Sequence, residues 1–235
     1  MDYQKMEREY SDAFGLKRRP IAISFHDTPP SGVAKFTGTE PSGCSFWRLA
    51  VQGKTFYTVP GDHYNCAVGA HTHHMDLPQE RAGELAQTIS FMTQLKYIRS
   101  EEIPGFARLP KTPSVVVYAP LADTPVDPDV VLFVGQPARM SALLETASRA
   151  GVSSSAPFVG RPTCSALAAA LEHGVVVSSA CIGNRVYTDL GDDELYVAIR
   201  GRDLARVAQE AQTIVSANAK LAEYHRSRRK DLATQ

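Results

Sequence analysis

The residues whose chemistry stands out in this 235-residue sequence are its four cysteines: Cys44, Cys66, Cys164 and Cys181. As thiolates, cysteines bind soft metal ions and iron–sulfur clusters or act as nucleophiles and redox groups. The chain begins MDYQKMEREY, which is charged from its second residue and lacks the apolar core of a secretory signal. We therefore expect a cytoplasmic protein, in which cysteines serve as buried thiols, metal ligands or redox groups rather than as disulfides.

The cysteines lie in two similar segments. CSFWRLAVQG begins at Cys44, and CSALAAALEHG begins at Cys164. Each segment is a small, apolar helical stretch that ends at a glycine, followed by a β-rich run and then by a second cysteine. The first cysteines of the two segments are 120 residues apart and the second cysteines 115, close to half the chain length. This period indicates an internal duplication, with two related halves packed about a pseudo-twofold axis where the cysteines meet.

Such a meeting of four thiolates predicts a metal centre. Ser42 and Thr163 are the expected N-caps of the two helices, which places Cys44 and Cys164 in the first turn, where the helix dipole favours thiolate. Four sulfurs at one interface would hold a [4Fe–4S] cluster or a tetrahedral zinc ion. The 21 and 16 residues between paired cysteines match neither zinc knuckles nor the common ferredoxin spacings. Unmetallated core thiols and nucleophilic or redox thiol catalysis therefore stay open as alternatives.

A histidine cluster follows the second cysteine, where His71, His73 and His74 form the sequence HTHH. If this stretch is extended, His71 and His73 project to one side, and Asp76 could join them as a metal ligand. The alternative is a polar loop. The second half carries Arg185 shortly after its own second cysteine. We predict catalytic roles for His71, as a titratable group, and for Arg185, as a permanent cation that binds a carboxylate-bearing substrate.

Strands and helices alternate along the sequence, which predicts the α/β class, with α+β as the alternative. The apolar runs SVVVYA (114–119) and VVLFV (130–134) fit strands that are covered on both faces. Apolar spacing between Gln79 and Ile98 predicts a long central helix. We expect a single domain over 1–235, with two pseudo-repeats at about 18–110 and 111–200 and a C-terminal helix over 203–225 that ends in a frayed basic tail.

The order of these segments resembles the family catalogued as domain of unknown function 169, over most of the chain. The resemblance rests on the two cysteine pairs, on the segment CIGNR that begins at Cys181, and on the DEL sequence (193–195) that leads into a strand. It implies metal or redox chemistry through the cysteines, because cysteine-rich members of the family come from archaea and anaerobic bacteria.

The charge balance limits the partners. Lys and Arg number 25, and so do Asp and Glu, so no net field attracts the chain to nucleic acid or to an anionic membrane. The expected partner is a small-molecule substrate, and a homodimer is left open. The sequence thus predicts a metal-dependent, iron–sulfur-binding cytoplasmic enzyme, a lyase or an oxidoreductase, that acts on a small polar or anionic molecule. The alternatives are a small-molecule-binding or electron-transfer module and a zinc-stabilised structural domain.

Overall fold

A computed structural model describes residues 1–153 and 156–233 of the protein. Across these residues the strands are β1 (Ile21–His26), β2 (Phe56–Thr58), β3 (Val115–Pro120), β4 (Val130–Gly135), β5 (Val175–Ser178) and β6 (Leu195–Arg200). The α-helices are α1 (Tyr3–Phe14), α2 (Ser45–Val51), α3 (Ala67–Thr72), α4 (Glu84–Gln94), α5 (Pro137–Arg149), α6 (Ser165–His173), α7 (Ile182–Thr188) and α8 (Leu204–Ala233). Helices and strands alternate, which confirms the mixed α/β class.

The strands of the described residues form one sheet with the order β2-β3-β1-β4-β6-β5. Every pair of neighbours in it runs antiparallel. β3 is buried along its whole length and β4 is buried up to Gly135, as the continuous apolar runs predict. Successive residues point to opposite faces. Leu132 accordingly joins the core on one face, while Val131 and Phe133 join the core on the other.

Helices cover both faces of the sheet. On one face α1, α5 and α8 contribute buried residues, among them Tyr10, Met140 and Val207. On the other face α2 and α6 bury Trp47 and Leu167. Because α2 and α6 pack on the same face, the cysteines that precede them are brought to the same side of the sheet.

The order of elements repeats along the chain. In each half, the chain passes through a strand, a cysteine and its helix, a second strand, a second cysteine and its helix, and a third strand. The strand positions also correspond: β1 and β4 are central neighbours, β3 and β6 flank them, and β2 and β5 form the edges. This symmetrical order favours a boundary between β3 and β4, whereas the expected segments 18–110 and 111–200 divide the chain before β3. Superposition of the halves about a pseudo-twofold axis stays a prediction.

Two helices differ from the sequence prediction. The expected central helix between Gln79 and Ile98 is reduced to α4, which follows a short 3-10 turn at Gln79–Arg81 and has no buried residue. α8 runs to Ala233, beyond the predicted end at 225, so the basic tail is helical rather than frayed. Its Ala, Glu, Lys and Arg residues favour helix without needing a packing partner. Across the two described ranges, no helix combines the length and apolarity needed to cross a membrane.

Candidate functional site

Each cysteine lies at the start of a helix. Cys44 precedes α2 and Cys164 precedes α6, both at the N-cap position with right-handed helical backbone angles. Cys66 and Cys181 occupy the N-cap positions of α3 and α7 with extended backbone. The matching helix starts in the two halves therefore carry matching thiols.

All four cysteines line one cavity, whose volume is about 790 Å³. All four are free thiols, and each is partly exposed. Two come from the β1–β3 half of the sheet and two from the β4–β6 half. The fold thus gathers at one place the only strongly metal-binding sulfur ligands in the sequence.

Short hydrogen bonds fix the turns that hold these thiols. The Ser42 hydroxyl lies 3.0 Å from the sulfur of Cys44, and the backbone amide of Cys181 donates to Thr163 Oγ1 over 2.5 Å. Neither hydroxyl caps the following helix, so the expectation that Ser42 and Thr163 are N-caps is wrong. The reason is that both are turned toward cysteines instead of toward the first amides of the helix.

Cys66 is held by the glycine that follows it. Its sulfur accepts a hydrogen bond from the backbone N–H of Gly69 at 3.3 Å. A Cβ at position 69 would lie only 3.3 Å from the same sulfur. The thiol therefore has its present position because residue 69 carries no side chain.

Burial dominates the acidity of these thiols. It raises the pKa of Cys44 to about 12, although the hydrogen bond with Ser42 opposes the shift. Burial also raises the pKa of Cys66 and of Cys164. Burial thus shifts the pKa of Cys44, Cys66 and Cys164 upward, opposite to the expectation that helix N-termini stabilise their thiolates. A metal that binds here must displace their protons.

The residue types are those that bind soft metal ions. Within residues 1–153 and 156–233, no three His, Cys, Asp or Glu side chains form a group able to hold one metal ion. A tetrahedral zinc ion with bonds of about 2.3 Å needs its sulfurs roughly 3.8 Å apart. In an iron–sulfur cluster each iron binds its own cysteine, so the cysteine sulfurs lie further apart.

One buried hydrogen-bond donor near the thiols lacks a partner. The Tyr118 hydroxyl makes no hydrogen bond with any described residue, whereas the Asn184 side chain interacts with the thiol of Cys44 and lowers its pKa. Burial raises the pKa of Tyr118, and the nearby thiols of Cys44 and Cys164 add to this effect. Asn184 lines the cavity itself. Because an unpartnered buried donor costs free energy, the Tyr118 hydroxyl is suited to donate a hydrogen bond to an electronegative atom beside it.

The histidines of the HTHH sequence do not line the cavity. α3 makes the first part of this stretch helical, so the extended geometry expected for His71 and His73 is wrong. Positions two apart on a helix do not share a face, and Asp76 is exposed. His73 is buried, with its Nδ1 2.9 Å from a carbonyl oxygen of α3, and its ring centroid lies 5.4 Å from that of His63. His74 contacts a backbone carbonyl through Nδ1 at 2.8 Å.

The guanidinium of Arg185 is hydrogen-bonded to backbone carbonyl groups. Its guanidinium donates to the carbonyls of Ser179 at 2.6 Å, Gly191 at 2.8 Å and Glu194 at 3.2 Å. These bonds join α7 to the segments on either side of it. The cavity lining includes neither Arg185 nor His71, so the catalytic roles assigned to them stay predictions without support from this geometry.

The walls of the cavity were missed by sequence reasoning. α4 and its C-cap contribute Phe91 and Leu95, α7 contributes Ile182 and Tyr187, and the segment before α6 contributes Arg161. The signal was present, because α4 has helical apolar spacing. The same spacing is typical of a helix that packs on a core, whereas Phe91 and Leu95 line the cavity and stay exposed to water.

The fold and the site define a class of α/β protein in which one antiparallel sheet carries four helix-initiating cysteines around a single cavity. The sequence profile of the domain of unknown function 169 family, described as "Uncharacterised ArCR", matches residues 11–210. The chain belongs to this family. Comparisons with curated proteins and with solved structures found no significant match.

Proposed function

We propose that this protein is a cytoplasmic iron–sulfur enzyme that holds a [4Fe–4S] cluster through Cys44, Cys66, Cys164 and Cys181 and acts on a small molecule. The observation that carries the proposal is that all four cysteines line the same cavity. A cluster among them would face a cavity that is lined by residues of both halves of the chain. The balanced charge supports a small-molecule substrate rather than nucleic acid or a membrane.

The surroundings of the thiols support a cluster in two ways. The Tyr118 hydroxyl is a buried donor without a partner among the described residues, the Asn184 side chain lines the cavity, and hydrogen bonds to cluster or cysteine sulfur tune the reduction potential of a cluster. The apolar walls restrict water, which also governs the potential. Four cysteine ligands leave a cluster coordinatively closed, so electron transfer and an oxidoreductase are favoured over a lyase that needs an open iron.

The residues of the chain have separable tasks under this proposal. The four cysteines bind, and Ser42 and Thr163 orient the turns that carry Cys44 and Cys181. The walls exclude water and position the substrate. His71 and Arg185, proposed from the sequence as a proton-transfer group and an anion-binding group, would have to act from outside the cavity lining.

Anaerobic purification tests the proposal. The account predicts a brown protein with broad absorption near about 400 nm that bleaches on exposure to oxygen or reductant. The Thr88→Ser variant alters the cavity wall without removing a thiol and serves as a control that keeps the colour. Colourless protein that contains neither iron nor sulfide contradicts the proposal, and protein that contains only zinc replaces it with a zinc-stabilised domain.

A second candidate function is a small-molecule-binding module whose thiols are part of an apolar wall. The raised pKa of the buried thiols favours it, because neutral thiols behave as small apolar groups. Under this alternative, protein purified anaerobically would bind ligand without iron. The same measurement of metal content therefore separates the two candidates.

A further inference from the structure

The cavity extends well beyond its thiols. Its volume of about 790 Å³ lies in the range of roughly 300 to 1,000 Å³ that is usual for small-molecule sites. A [4Fe–4S] cluster would occupy only the part next to the cysteines. The rest of the wall comes from α4, the segment 95–98, Phe106 and the first residues of α7, so a second occupant has a site of its own.

The rim of this cavity exposes large apolar side chains. Phe91 is 60% exposed, Leu95 61% and Ile182 62%, and all three line the cavity. Tyr97 joins the two sides of the rim, because its hydroxyl accepts a hydrogen bond from the amide of Ile182 at 3.1 Å. Apolar side chains around a concave site gain free energy when an apolar ligand covers them.

The charged side chains that line the cavity are all positive. Lys96 and Arg161 line the cavity, and no Asp or Glu is among its lining residues. Lys96 forms no ion pair with any residue in the described ranges. Arg161 lies over the Tyr97 ring, 4.9 Å from its centroid, and is 3.5 Å from Glu102. The rim therefore offers one unpaired cation and a second one that is only loosely paired.

We propose that the cavity binds an amphipathic carboxylate: a molecule with an apolar body that fills the space between α4 and α7, and one carboxylate that pairs with Lys96 and Arg161. This inference deepens the proposed function. It rests on that function only where it places the apolar body of the ligand beside the cluster. The binding itself depends on the cavity walls and needs no metal. It narrows the small polar or anionic molecule expected from the sequence to an anion whose charge is at one end of a mainly apolar body.

Isothermal titration calorimetry with four simple probes tests the inference. Decanoate carries both features, decyltrimethylammonium reverses the charge, decanol removes it, and acetate removes the apolar body. We expect one decanoate per chain, binding about tenfold weaker for the cation and the alcohol, and no measurable binding of acetate. Equal affinity for decanoate and decyltrimethylammonium would overturn the charge assignment, and the absence of any decanoate binding would overturn the site.

Point variants locate the site. Lys96→Gln and Arg161→Gln should each weaken decanoate about threefold and leave decanol unchanged, as the loss of one solvent-exposed ion pair does. Phe91→Asp or, independently, Leu95→Asp should weaken both ligands about tenfold, because each puts a charge into the apolar rim. The matched controls are Lys220→Gln and Leu221→Asp on the exposed part of α8. Equal effects of control and cavity variants would contradict the inference.

The metal state separates this inference from the proposed function. The titrations are run on metal-free protein and on protein purified anaerobically, with iron measured in both. Decanoate binding without iron in either sample would contradict the iron–sulfur proposal and support the binding site. Iron in the anaerobic sample without decanoate binding would support the iron–sulfur proposal and contradict the binding site. Binding that appears only as the chain dimerises in analytical ultracentrifugation would assign the rim to a second copy of the chain and overturn the inference.

Discussion

The side chain of Thr163 accepts a hydrogen bond from the backbone amide of Cys181 at 2.5 Å. Thr163 directly precedes Cys164, so one hydroxyl ties together the turns that carry both cysteines of the second half. The first half has a different arrangement, in which the Ser42 hydroxyl contacts the sulfur of Cys44 itself. The two halves therefore hold corresponding thiols by different contacts.

Replacing Thr163 by valine should separate the two turns. The amide of Cys181 loses its acceptor, which we expect to lower the free energy of unfolding by about 1 to 3 kcal/mol and to reduce iron bound per chain. Thr163→Ser keeps the hydroxyl and is the control. Urea denaturation and iron analysis measure both effects. A Thr163→Val protein with the unfolding free energy and iron content of the wild type would show that the hydrogen bond between Thr163 and Cys181 does not hold the site.

Gly69 and Gly183 provide a matched pair, since each lies in the helix that follows a second cysteine. A Cβ at position 69 would lie 3.3 Å from the sulfur of Cys66, whereas at position 183 the nearest atom is 3.7 Å away, on Tyr187. We expect Gly69→Ala to displace the thiol and lower iron content. Gly183→Ala should keep the iron content of the wild type. It should also raise the free energy of unfolding by up to about 1 kcal/mol, because alanine has the higher helix propensity. Equal iron content in both variants would contradict this role of Gly69.

Stability should fall in mild acid because of two buried histidines. Burial lowers the pKa of His63 well below its usual value of 6.5, and burial lowers the pKa of His73 as well. Below about pH 6.5 the unfolded chain takes up protons on these residues and the folded chain does not. The free energy of unfolding is therefore highest above pH 6.5 and falls with pH, by up to about 1.4 kcal/mol per pH unit for each histidine.

Urea denaturation between pH 7.5 and 5.5 measures this dependence. His73→Gln removes one of the two buried groups and should reduce the slope, while His225→Gln on exposed α8 should leave it unchanged. A slope that is the same in wild type and His73→Gln would show that His73 takes up its proton in the folded protein.

Arg185 distinguishes the sequence-based hypothesis from the structural one. The sequence assigns it to substrate binding, so its loss should weaken ligand affinity and leave metal content nearly unchanged. The structure places its guanidinium on three backbone carbonyls. We therefore expect Arg185→Met to lower the free energy of unfolding by about 1 to 3 kcal/mol, as when partly buried acceptors lose a charged donor, with decanoate affinity unchanged in the folded fraction. A stable variant with weakened ligand binding would restore the catalytic assignment.

The elements that surround the sheet follow closely from local sequence. The apolar runs at 114–119 and 130–134 became β3 and β4. This prediction depends only on local hydrophobic pattern within a few residues. It succeeds because it does not depend on which distant segments pack together.

The site required tertiary information. The apolar spacing of α4 is the same whether Phe91 and Leu95 face a core or a cavity, so the cavity could not be predicted from periodicity. The pKa of Cys44 depends on how much protein covers it, which a helix N-terminus does not reveal. The pairing of Arg185 with three carbonyls involves loops that form only in the folded chain. Residue type identified the cysteines, and only the fold identified their surroundings.

The most direct test of the account is the iron and acid-labile sulfide content of anaerobically purified protein, compared with that of the four single variants Cys44→Ser, Cys66→Ser, Cys164→Ser and Cys181→Ser. The account predicts about four irons and four sulfides per chain in the wild type. Each variant should lose iron and should also unfold at lower temperature, because metal binding and folding are coupled. Iron-free wild-type protein, or four variants with the metal content and melting temperature of the wild type, would contradict the account.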